Sequence, residues 1–145
     1  MHKIHIKPEH IERVVKRGGK AHSVESLYGP RTALVVVDMQ LYFMGEGQPS
    51  ECPEAREIVP NVNRLTDATR RAGGKVIWIQ THSGPDSKNF WSVYYERMTP
   101  ENSEKRVTGM NPGGSGFDIW PDLDVRDEDL IVPKTTYSAF IPSPS

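Results

Sequence analysis

Three short apolar segments, separated by long polar stretches, dominate the hydrophobic pattern of the chain. Residues 33–37 read Ala-Leu-Val-Val-Val, a continuous apolar run that is typical of a strand buried on both faces of a sheet. Residues 75–80 and 130–133 are also rich in Val and Ile, and they predict a second and a third strand. The chain is therefore expected to contain a small β-sheet with long connections.

The connection between the first two predicted strands carries a helical pattern. A helix is expected to begin near Pro60, because apolar residues then recur at steps of three and four positions. This apolar stripe consists of Val62, Leu65, Ala68 and Ala72. The pair Gly73-Gly74 supplies a C-terminal stop, since glycine readily takes the left-handed conformation that ends helices. Strand, helix and strand in this order predict a right-handed βαβ unit.

Helical patterns also occur outside this unit. Residues 8–17 predict a short amphipathic helix near the start of the chain. Residues 89–98 predict an aromatic-rich helix, and Thr99 is expected to cap the start of the next one. We expect two regions, which are an N-terminal extension over residues 1–30 and an incomplete α/β domain over residues 31–145.

Composition and charge argue against several function classes. The chain has 18 Lys and Arg against 19 Asp and Glu, and this balance disfavours a protein that binds nucleic acid by broad charge attraction. The single cysteine excludes an internal disulfide and a cysteine-built zinc site. No apolar run is long enough to span a membrane and no secretory signal is visible, so we expect a cytoplasmic protein without a membrane partner.

The start of the chain is locally basic. The first 20 residues hold six Lys or Arg against two Glu, and four of the five His lie within the first 22 residues. A solvated helix face explains this composition. An anion or RNA contact and a histidine metal cluster are the alternatives, although the spacing of the histidines matches no common ligand pattern. We assign no metal ligand on this basis.

Two charged residues lie where predicted parallel strands end. Asp38 follows the first strand directly, and Lys134 follows the third. The carboxyl ends of parallel strands form the edge at which open α/β sheets bind ligands, so the two side chains can pair if their strands lie close. A carboxylate there suits a general base, and a lysine beside it stabilises negative charge. Gln40 is a candidate for orienting Asp38 by a hydrogen bond. Otherwise Asp38 caps a turn and Lys134 is an ordinary surface residue.

Other candidate side chains have weaker support. Cys52 lies in a Pro- and Glu-rich loop without an evident helix N-terminus to activate it, and Ser138 has only its closeness to Lys134 in the sequence. His82 follows the second strand, where it suits substrate or metal binding or a structural role. The Gly-Gly-Ser-Gly run at 113–116 lacks the lysine of a P-loop. Several aromatic residues are candidate pocket walls, or else packing residues: Phe43, Trp91, Tyr94, Tyr95, Trp120 and Tyr137.

Four segments match a known family pattern in order and spacing. They are residues 31–40 (RTALVVVDMQ) with Phe43, residues 58–65 (IVPNVNRL), residues 73–82 (GGKVIWIQTH) and residues 132–140 (VPKTTYSAF). With these segments the chain resembles the isochorismatase-like cysteine hydrolase superfamily. The extension at the front and residues 91–95 are similar to the branch that contains ureidoacrylate and N-carbamoyl amidohydrolases.

The resemblance implies a three-layer, parallel-sheet, Rossmann-like fold of six strands, which this sequence contains only as far as the third. It implies that Asp38 acts as a base, that Lys134 stabilises a cysteine thiolate, and that no cofactor is required. The family's cysteine lies beyond the lysine segment, after the point at which this sequence ends, and Cys52 does not match it. The expected substrate contacts are Gln40, Phe43, Trp91 and Tyr137.

The expected function is hydrolysis of C–N bonds in small amides or ureides, with this chain alone inactive because the nucleophile is missing. The alternative is a catalytically inactive module that binds small molecules or pairs with complete relatives. An unpaired apolar edge at the first strand also predicts poor solubility or a homo-oligomer, because such edges pair with other chains.

Overall fold

The centre of the fold is a three-stranded parallel sheet. The computed structural model describes residues 5–22 and 24–141. Its strands are β1 (Ala33–Val37), β2 (Lys75–Thr81) and β3 (Leu130–Lys134). They lie in the order β1-β2-β3, so β2 is central and β1 is at an edge. The three predicted strands and their parallel arrangement are confirmed.

Helices precede β1 and connect the strands in the described residues. In chain order they are α1 (Pro8–Gly18), α2 (Leu41–Met44), α3 (Glu54–Glu57), α4 (Val59–Arg71), α5 (Ser87–Phe90), α6 (Ser92–Tyr95) and α7 (Pro100–Gly109), with a 3-10 turn at Gly29–Arg31. The helices predicted at residues 8–17 and near Pro60 are confirmed as α1 and α4. Within residues 5–22 and 24–141, no helix has the length and apolar character needed to cross a membrane.

The face that α4 turns toward the sheet differs from the predicted apolar stripe. Val59 and Thr66 are buried, whereas Leu65 is 55% exposed. The other exposed members of the stripe are Ala68 and Ala72. The stripe prediction was wrong for Leu65, Ala68 and Ala72, because the packed side of α4 also carries polar residues that bind a later loop, whereas Val62 packs against the hydrophobic core. Asn63 is one of them, since its side chain donates to the Asp122 carbonyl at 2.8 Å.

Arg70 joins α4 to the loop that leads into β3. Its guanidinium donates to Asp129 Oδ1 at 3.0 Å and to Asp124 Oδ2 at 2.9 Å. Trp78 Nε1 also donates to Asp129, at 2.9 Å. Burial acts to raise the pKa of the Asp129 carboxyl, but the hydrogen bonds from Arg70 and Trp78 outweigh it and hold this pKa below its ordinary value.

The hydrophobic core lies between the sheet, α4 and this loop. Its buried members are Val36, Met44, Val59, Val76, Trp78 and Leu123. Each such side chain contributes about 1.5–3 kcal/mol when it is removed from water. One face of the sheet is therefore covered by an apolar layer, and the polar network around Arg70 borders that layer.

The opposite face of the sheet is largely uncovered in the described part of the chain. Val35 and Val37 of β1 are 50% and 52% exposed, and Leu130 of β3 is 51% exposed. Residues 137–140 lie beside this face and form one wall of a groove of about 360 Å³. We call this surface the open-face groove, and its lining is Val35, Val37, Ile77, Ile79, Val132, Lys134 and residues 137–140. The apolar edge predicted at β1 is confirmed.

Residues 89–98 form parts of two short helices instead of the single helix predicted. Trp91 separates α5 from α6, because its φ of −129° and ψ of 43° lie outside the helical region. Its ring stacks on Tyr94 with a centroid distance of 4.0 Å, so aromatic packing accompanies the break. The next helix begins as predicted, since the Thr99 hydroxyl accepts a hydrogen bond from the Asn102 N–H at 3.2 Å.

Candidate active site

Asp38 and Lys134 meet at the carboxyl edge of the sheet. Lys134 Nζ donates to Asp38 Oδ2 at 2.8 Å, although β2 lies between their strands. Asp38 comes directly after β1, and Lys134 is the last residue of β3 rather than the first one after it. The Lys134 side chain is 6% exposed and that of Asp38 is 27% exposed, so the pair is accessible mainly from its carboxylate side. The predicted pairing is confirmed.

Thr81 holds the second oxygen of the Asp38 carboxylate. Its Oγ1 donates to Asp38 Oδ1 at 2.7 Å from the last position of β2. Thr81 was not among the predicted site residues. The signal that pointed to it was its place at the end of the second strand, directly before His82. Two strands, β2 and β3, therefore each deliver a polar side chain to the carboxylate that follows β1.

The backbone of Asp38 takes a left-handed conformation, with a φ of 56°. Among the described residues, the others with positive φ are glycines. Aspartate tolerates this region better than most side chains, and such strain is typical of functional sites. The Asp38 N–H still donates to the Ile79 carbonyl of β2 at 3.0 Å, so the chain remains bonded to β2 for one residue after β1 ends.

The side-chain amide of Gln40 binds the main chain at the end of β2 and does not form the predicted hydrogen bond to Asp38. Its Nε2 donates to the Thr81 carbonyl at 3.0 Å and to the Phe117 carbonyl at 2.6 Å, while its Oε1 accepts from the Thr81 N–H at 2.7 Å. The predicted hydrogen bond to Asp38 is wrong, because main-chain groups of Thr81 and Phe117 occupy the amide. Gln40 is 0% exposed, so the substrate contact predicted for it does not fit this structure. It acts as a positioning residue.

Trp91 and Tyr137, both predicted to bind substrate, lie together beside the charged pair. Their rings meet edge to face at 4.8 Å, and Tyr94 packs against both of them. The Tyr137 carbonyl accepts from Lys134 Nζ at 3.3 Å, which links the aromatic cluster to the charged pair. The rings border a cavity of about 370 Å³, lined by Trp91, Val93, Tyr94, Arg97, Met98 and Tyr137.

Arg106 lies against the same aromatic cluster. Its guanidinium carbon is 5.0 Å from the Tyr94 ring centroid and 5.7 Å from that of Tyr42, which are cation–π distances. Arg106 Nε and the Tyr95 hydroxyl are buried without a hydrogen-bond partner in the described structure. Burial raises the pKa of the Tyr94 phenol, and the charge of Arg106 partly offsets this rise. The Tyr94 hydroxyl therefore stays neutral near pH 7.

Phe43 and Trp120 have the contacts of packing residues. Both are partly buried against the hydrophobic core described above. The Phe43 ring also meets Tyr42 edge to face at 5.3 Å, and Trp120 Nε1 donates to Asp122 at 3.2 Å. The substrate contact proposed for Phe43 stays a prediction.

His82 takes part in main-chain and side-chain contacts behind the charged pair. Its N–H donates to the Lys134 carbonyl at 2.8 Å, and its Nε2 lies 3.1 Å from Asn111 Oδ1. The ring also meets Phe117 edge to face at 5.9 Å. These contacts describe a structural role, which was one of the two alternatives for this residue.

Cys52 and Ser138 have local partners. The Cys52 thiol is exposed and lies 3.6 Å from Glu54 Oε2. Ser138 Oγ accepts a hydrogen bond from the Phe140 N–H at 3.2 Å. Neither side chain contacts Asp38 or Lys134 in the described part of the chain, so neither is assigned the role of a nucleophile.

Two of the three glycines of the Gly-Gly-Ser-Gly run, Gly114 and Gly116, serve close packing, whereas Gly113 has a positive φ of 82°. A Cβ at Gly116 would lie 2.7 Å from the Tyr42 Cβ, and one at Gly114 would lie 2.2 Å from the Thr108 carbonyl oxygen. In the described ranges, no group of three or more His, Cys, Asp or Glu is placed to hold a metal ion. His2, a member of the alternative histidine cluster, lies outside those ranges.

The chemistry available at this edge follows from the contacts of Asp38. A carboxylate that is fixed on both oxygens is oriented for proton transfer. The ammonium of Lys134 beside it stabilises an anion that forms when the carboxylate removes a proton from a nucleophile. The aromatic cavity, whose Tyr137 accepts from Lys134 Nζ through its carbonyl, is of a size for a small organic molecule.

Comparisons with known sequences found a matching family and several relatives. The Isochorismatase domain family matches residues 32–144 of the chain. The ureidoacrylate amidohydrolase of Klebsiella pneumoniae is 26% identical over 127 residues, which cover 79% of this chain and 54% of that protein. A probable inactive nicotinamidase of Arabidopsis thaliana is 33% identical over 113 residues, which cover 75% of this chain and 54% of that protein. The chain thus spans about half the length of these relatives.

Solved structures share the fold. A cysteine hydrolase from Pseudomonas syringae pv. phaseolicola superposes with a TM-score of 0.64 at 24% identity, covering 79% of this chain and 51% of that one. N-carbamoylsarcosine amidase from Thermoplasma acidophilum has a TM-score of 0.55 at 26% identity, covering 74% of this chain and 54% of that one. These similarities confirm the α/β fold with a parallel sheet that the sequence predicts.

Proposed function

Because the chain belongs to the Isochorismatase domain family, we propose that it is the part of a hydrolase that carries the catalytic Asp and Lys. The reaction is cleavage of a C–N bond in a small amide or ureide. The observation that carries this proposal is the 2.8 Å contact between Lys134 Nζ and Asp38 Oδ2, which is linked to an aromatic cavity through the hydrogen bond of Lys134 Nζ to the Tyr137 carbonyl. The names of two relatives, a ureidoacrylate amidohydrolase and an N-carbamoylsarcosine amidase, support this substrate class.

In the proposed mechanism, Asp38 accepts the proton of a cysteine thiol and Lys134 stabilises the thiolate that forms. The thiolate bonds to the carbonyl carbon, the C–N bond breaks, and the proton passes from Asp38 to the leaving nitrogen. Water then cleaves the thioester and releases the acyl group together with the free thiol. The thiol comes from outside these 145 residues, so the chain alone is inactive.

The aromatic cavity supplies the substrate contacts in this proposal. Trp91 and Tyr137 border it, and the Tyr137 carbonyl accepts from Lys134 Nζ at 3.3 Å. A planar ureide or amide can stack on these rings while its carbonyl carbon lies near the charged pair. Gln40 and Thr81 act indirectly, because they orient Asp38 and the end of β2.

Calorimetric titration of the 145-residue chain with N-carbamoylsarcosine tests the substrate site. We expect saturable binding, a clear loss of affinity in Trp91→Ala, and no change in Leu65→Ala, which alters an exposed residue on α4. Absence of binding, or equal binding by Trp91→Ala, would overturn the site. The same samples assayed for ammonia release should show no turnover. Turnover by the chain itself would overturn the proposal that the thiol comes from outside these 145 residues.

A second candidate function is a catalytically inactive module that binds small molecules or pairs with complete relatives. One relative at 33% identity is described as a probable inactive nicotinamidase, and the open face of the sheet offers a surface for pairing. Co-purification with a full-length relative, whose rate of hydrolysis is the same with the wild-type chain and with Asp38→Asn, would favour this function. A rate of that complex that falls with Asp38→Asn would favour the first, because the thiol is then supplied from outside these 145 residues.

A further inference from the structure

Arg106 is a buried cation without a carboxylate partner among the described residues. We propose that it is a specificity-determining residue, whose charge makes the aromatic cavity prefer a substrate that carries a carboxylate. The residue is 8% exposed, and its Nε is buried without a hydrogen-bond partner. A buried charge is costly unless an opposite charge or hydrogen bonds compensate it. This inference rests on the proposed function, because it names the substrate class of the same site.

Two aromatic rings of this chain enclose the guanidinium of Arg106. Its central carbon lies 5.7 Å from the ring centroid of Tyr42 and 5.0 Å from that of Tyr94. Both rings favour a cation at this place, but neither neutralises its charge. The burial of Arg106 is provided by the described residues themselves, so it does not depend on what lies outside them.

The acidic residues nearest to Arg106 in the sequence bind other cations. Glu101 and Glu104 are the two carboxylates of α7. Glu101 binds Lys105 at 2.7 Å, and Glu104 binds Lys88 at 3.2 Å. The positive charge of Arg106 is therefore available to an anionic group that enters the site from solution.

Tyr94 connects this charge to the aromatic cavity. Its ring lines the cavity and packs against Arg106, which does not itself line the cavity. Burial raises the pKa of the Tyr94 phenol, and the charge of Arg106 acts against that rise, so this charge reaches a group in the cavity wall. Among the described residues, the lining contains no Asp or Glu. A carboxylate in the cavity is therefore attracted by Arg106 and is not repelled by the lining.

Arg97 is a second cation at this cavity, and it lines the wall directly. Its side chain is exposed, where water and salt screen its charge. The charge of Arg106 is screened much less, because the residue is buried. We therefore expect Arg106 to contribute more to the preference for an anion than Arg97 does.

The same arrangement orients an N-carbamoyl acid in the cavity. Its carboxylate lies toward Tyr94 and the charge of Arg106. Its ureide lies toward Tyr137, whose carbonyl accepts from Lys134 Nζ at 3.3 Å. A neutral amide of the same size lacks the first of these two interactions, so it binds more weakly.

Calorimetric titration of the 145-residue chain compares N-carbamoylsarcosine with its neutral amide, in which –CONH2 replaces the carboxylate. We expect the wild type to bind the acid at least about tenfold more tightly than the amide. Arg106→Met should bring the two affinities close together while the amide still binds. Lys105→Met is the matched control, because it removes a positive charge from the next, exposed position of α7 and should keep the wild-type ratio.

The ratio of the two affinities separates specificity from a structural role, because a variant with a damaged cavity loses both ligands. Circular dichroism verifies folding, and Arg106→Gln replaces Arg106→Met if the latter does not fold. Equal affinities of the wild type for acid and amide would overturn this inference and leave the proposed function intact. So would an unchanged ratio in the Arg106 variants, or a ratio that is lost only in Arg97→Gln. Absence of binding of both ligands to the wild type would overturn the proposed site and this inference with it.

Discussion

Lys134 Nζ lies 2.8 Å from Asp38 Oδ2, across the end of a strand to which neither residue belongs. The strand between them ends at Thr81, whose hydroxyl binds the other oxygen of the same carboxylate. The geometry of the pair therefore depends on the termini of all three strands. A substitution at any one of these strand ends therefore alters the position or the hydrogen bonds of the Asp38 carboxylate.

Substitutions of Asp38 separate the effect of its charge from that of its backbone. Asp38→Asn removes the carboxylate beside the nearly buried Lys134 and should lower the free energy of unfolding by about 2 kcal/mol. Asp38→Ala should cost about 1 kcal/mol more, because alanine tolerates the φ of 56° less well than asparagine. Asp38→Gly should recover part of that difference. Urea denaturation measures all three, and equal stabilities of the Asn and Ala variants would argue against backbone strain.

Thr81→Val tests the hydroxyl that binds Asp38. The substitution keeps the shape of the side chain but removes a hydrogen bond to a charged group, so we expect a loss of about 1.5–3 kcal/mol. Thr81→Ser should retain most of the stability. Thr108→Val is the control, since the Thr108 hydroxyl also donates a hydrogen bond but is exposed. Thermal unfolding compares the four chains, and a Ser variant as unstable as the Val variant would show that shape matters more than the hydroxyl.

Gln40→Leu should be among the most damaging single substitutions in the chain. It leaves the N–H and carbonyl of Thr81 without the Gln40 amide in a buried site, at about 1–3 kcal/mol for each unsatisfied group, whereas the Phe117 carbonyl keeps the hydrogen bond from Gln80 Nε2 at 3.0 Å. Gln48→Leu is the matched control, because the side chain of Gln48 has one contact of 3.5 Å and lies in an exposed setting. If chemical denaturation gives the two variants the same free energy of unfolding, the hydrogen bonds of Gln40 do not stabilise the end of β2 as proposed.

Asp129 makes the stability of the fold depend on acid pH. Because its pKa in the folded chain lies below the ordinary value of 3.8, the unfolded chain takes up this proton first as the pH falls. The stabilisation is therefore complete above about pH 4 and is lost as the pH drops through the lower folded pKa. Asp129→Asn should lower the stability near pH 7 by about 3 kcal/mol and flatten this part of the profile.

Unfolding free energies measured between pH 2 and pH 7 provide the check, with Asp127→Asn as the control. Asp127 is exposed and two positions away in the same loop, so its replacement should leave both the stability and the acid profile nearly unchanged. A wild-type curve that does not depend on Asp129 below pH 4 would mean that Arg70 and Trp78 do not hold the carboxylate in solution.

The strands and the charged pair could be predicted from the sequence, because the local pattern of apolar and charged residues determines them. A run such as residues 33–37 has no other stable place than a sheet, and parallel strands bring Asp38 and Lys134 to a common edge. The helix break at Trp91 was not accessible, since it accompanies packing of its ring against Tyr94 and Tyr137. Ring packing of this kind is a tertiary effect that overrides helix propensity.

The orientation of α4 shows the same limit. Leu65 follows the apolar period and is nevertheless 55% exposed, whereas Thr66 is fully buried. Hydrogen bonds of Asn63 and Arg70 to the loop before β3 accompany this rotation, and no periodicity reveals partners that lie about sixty positions away. The contact between Gln40 and Thr81 could not be predicted either, because the two residues are far apart in the sequence. Gln40 comes soon after β1, but its side-chain amide binds the main chain at the end of β2.

The amide of Gln40 also has a consequence for how the molecule fluctuates. It both donates to and accepts from the main chain of Thr81, so it replaces a neighbouring strand at a point where β1 has already ended. The amide proton of Thr81 is thus protected by one side chain. Its rate of hydrogen–deuterium exchange will follow the opening of that side chain, so a nuclear magnetic resonance experiment can measure the local opening of the carboxyl edge of the sheet from a single peak.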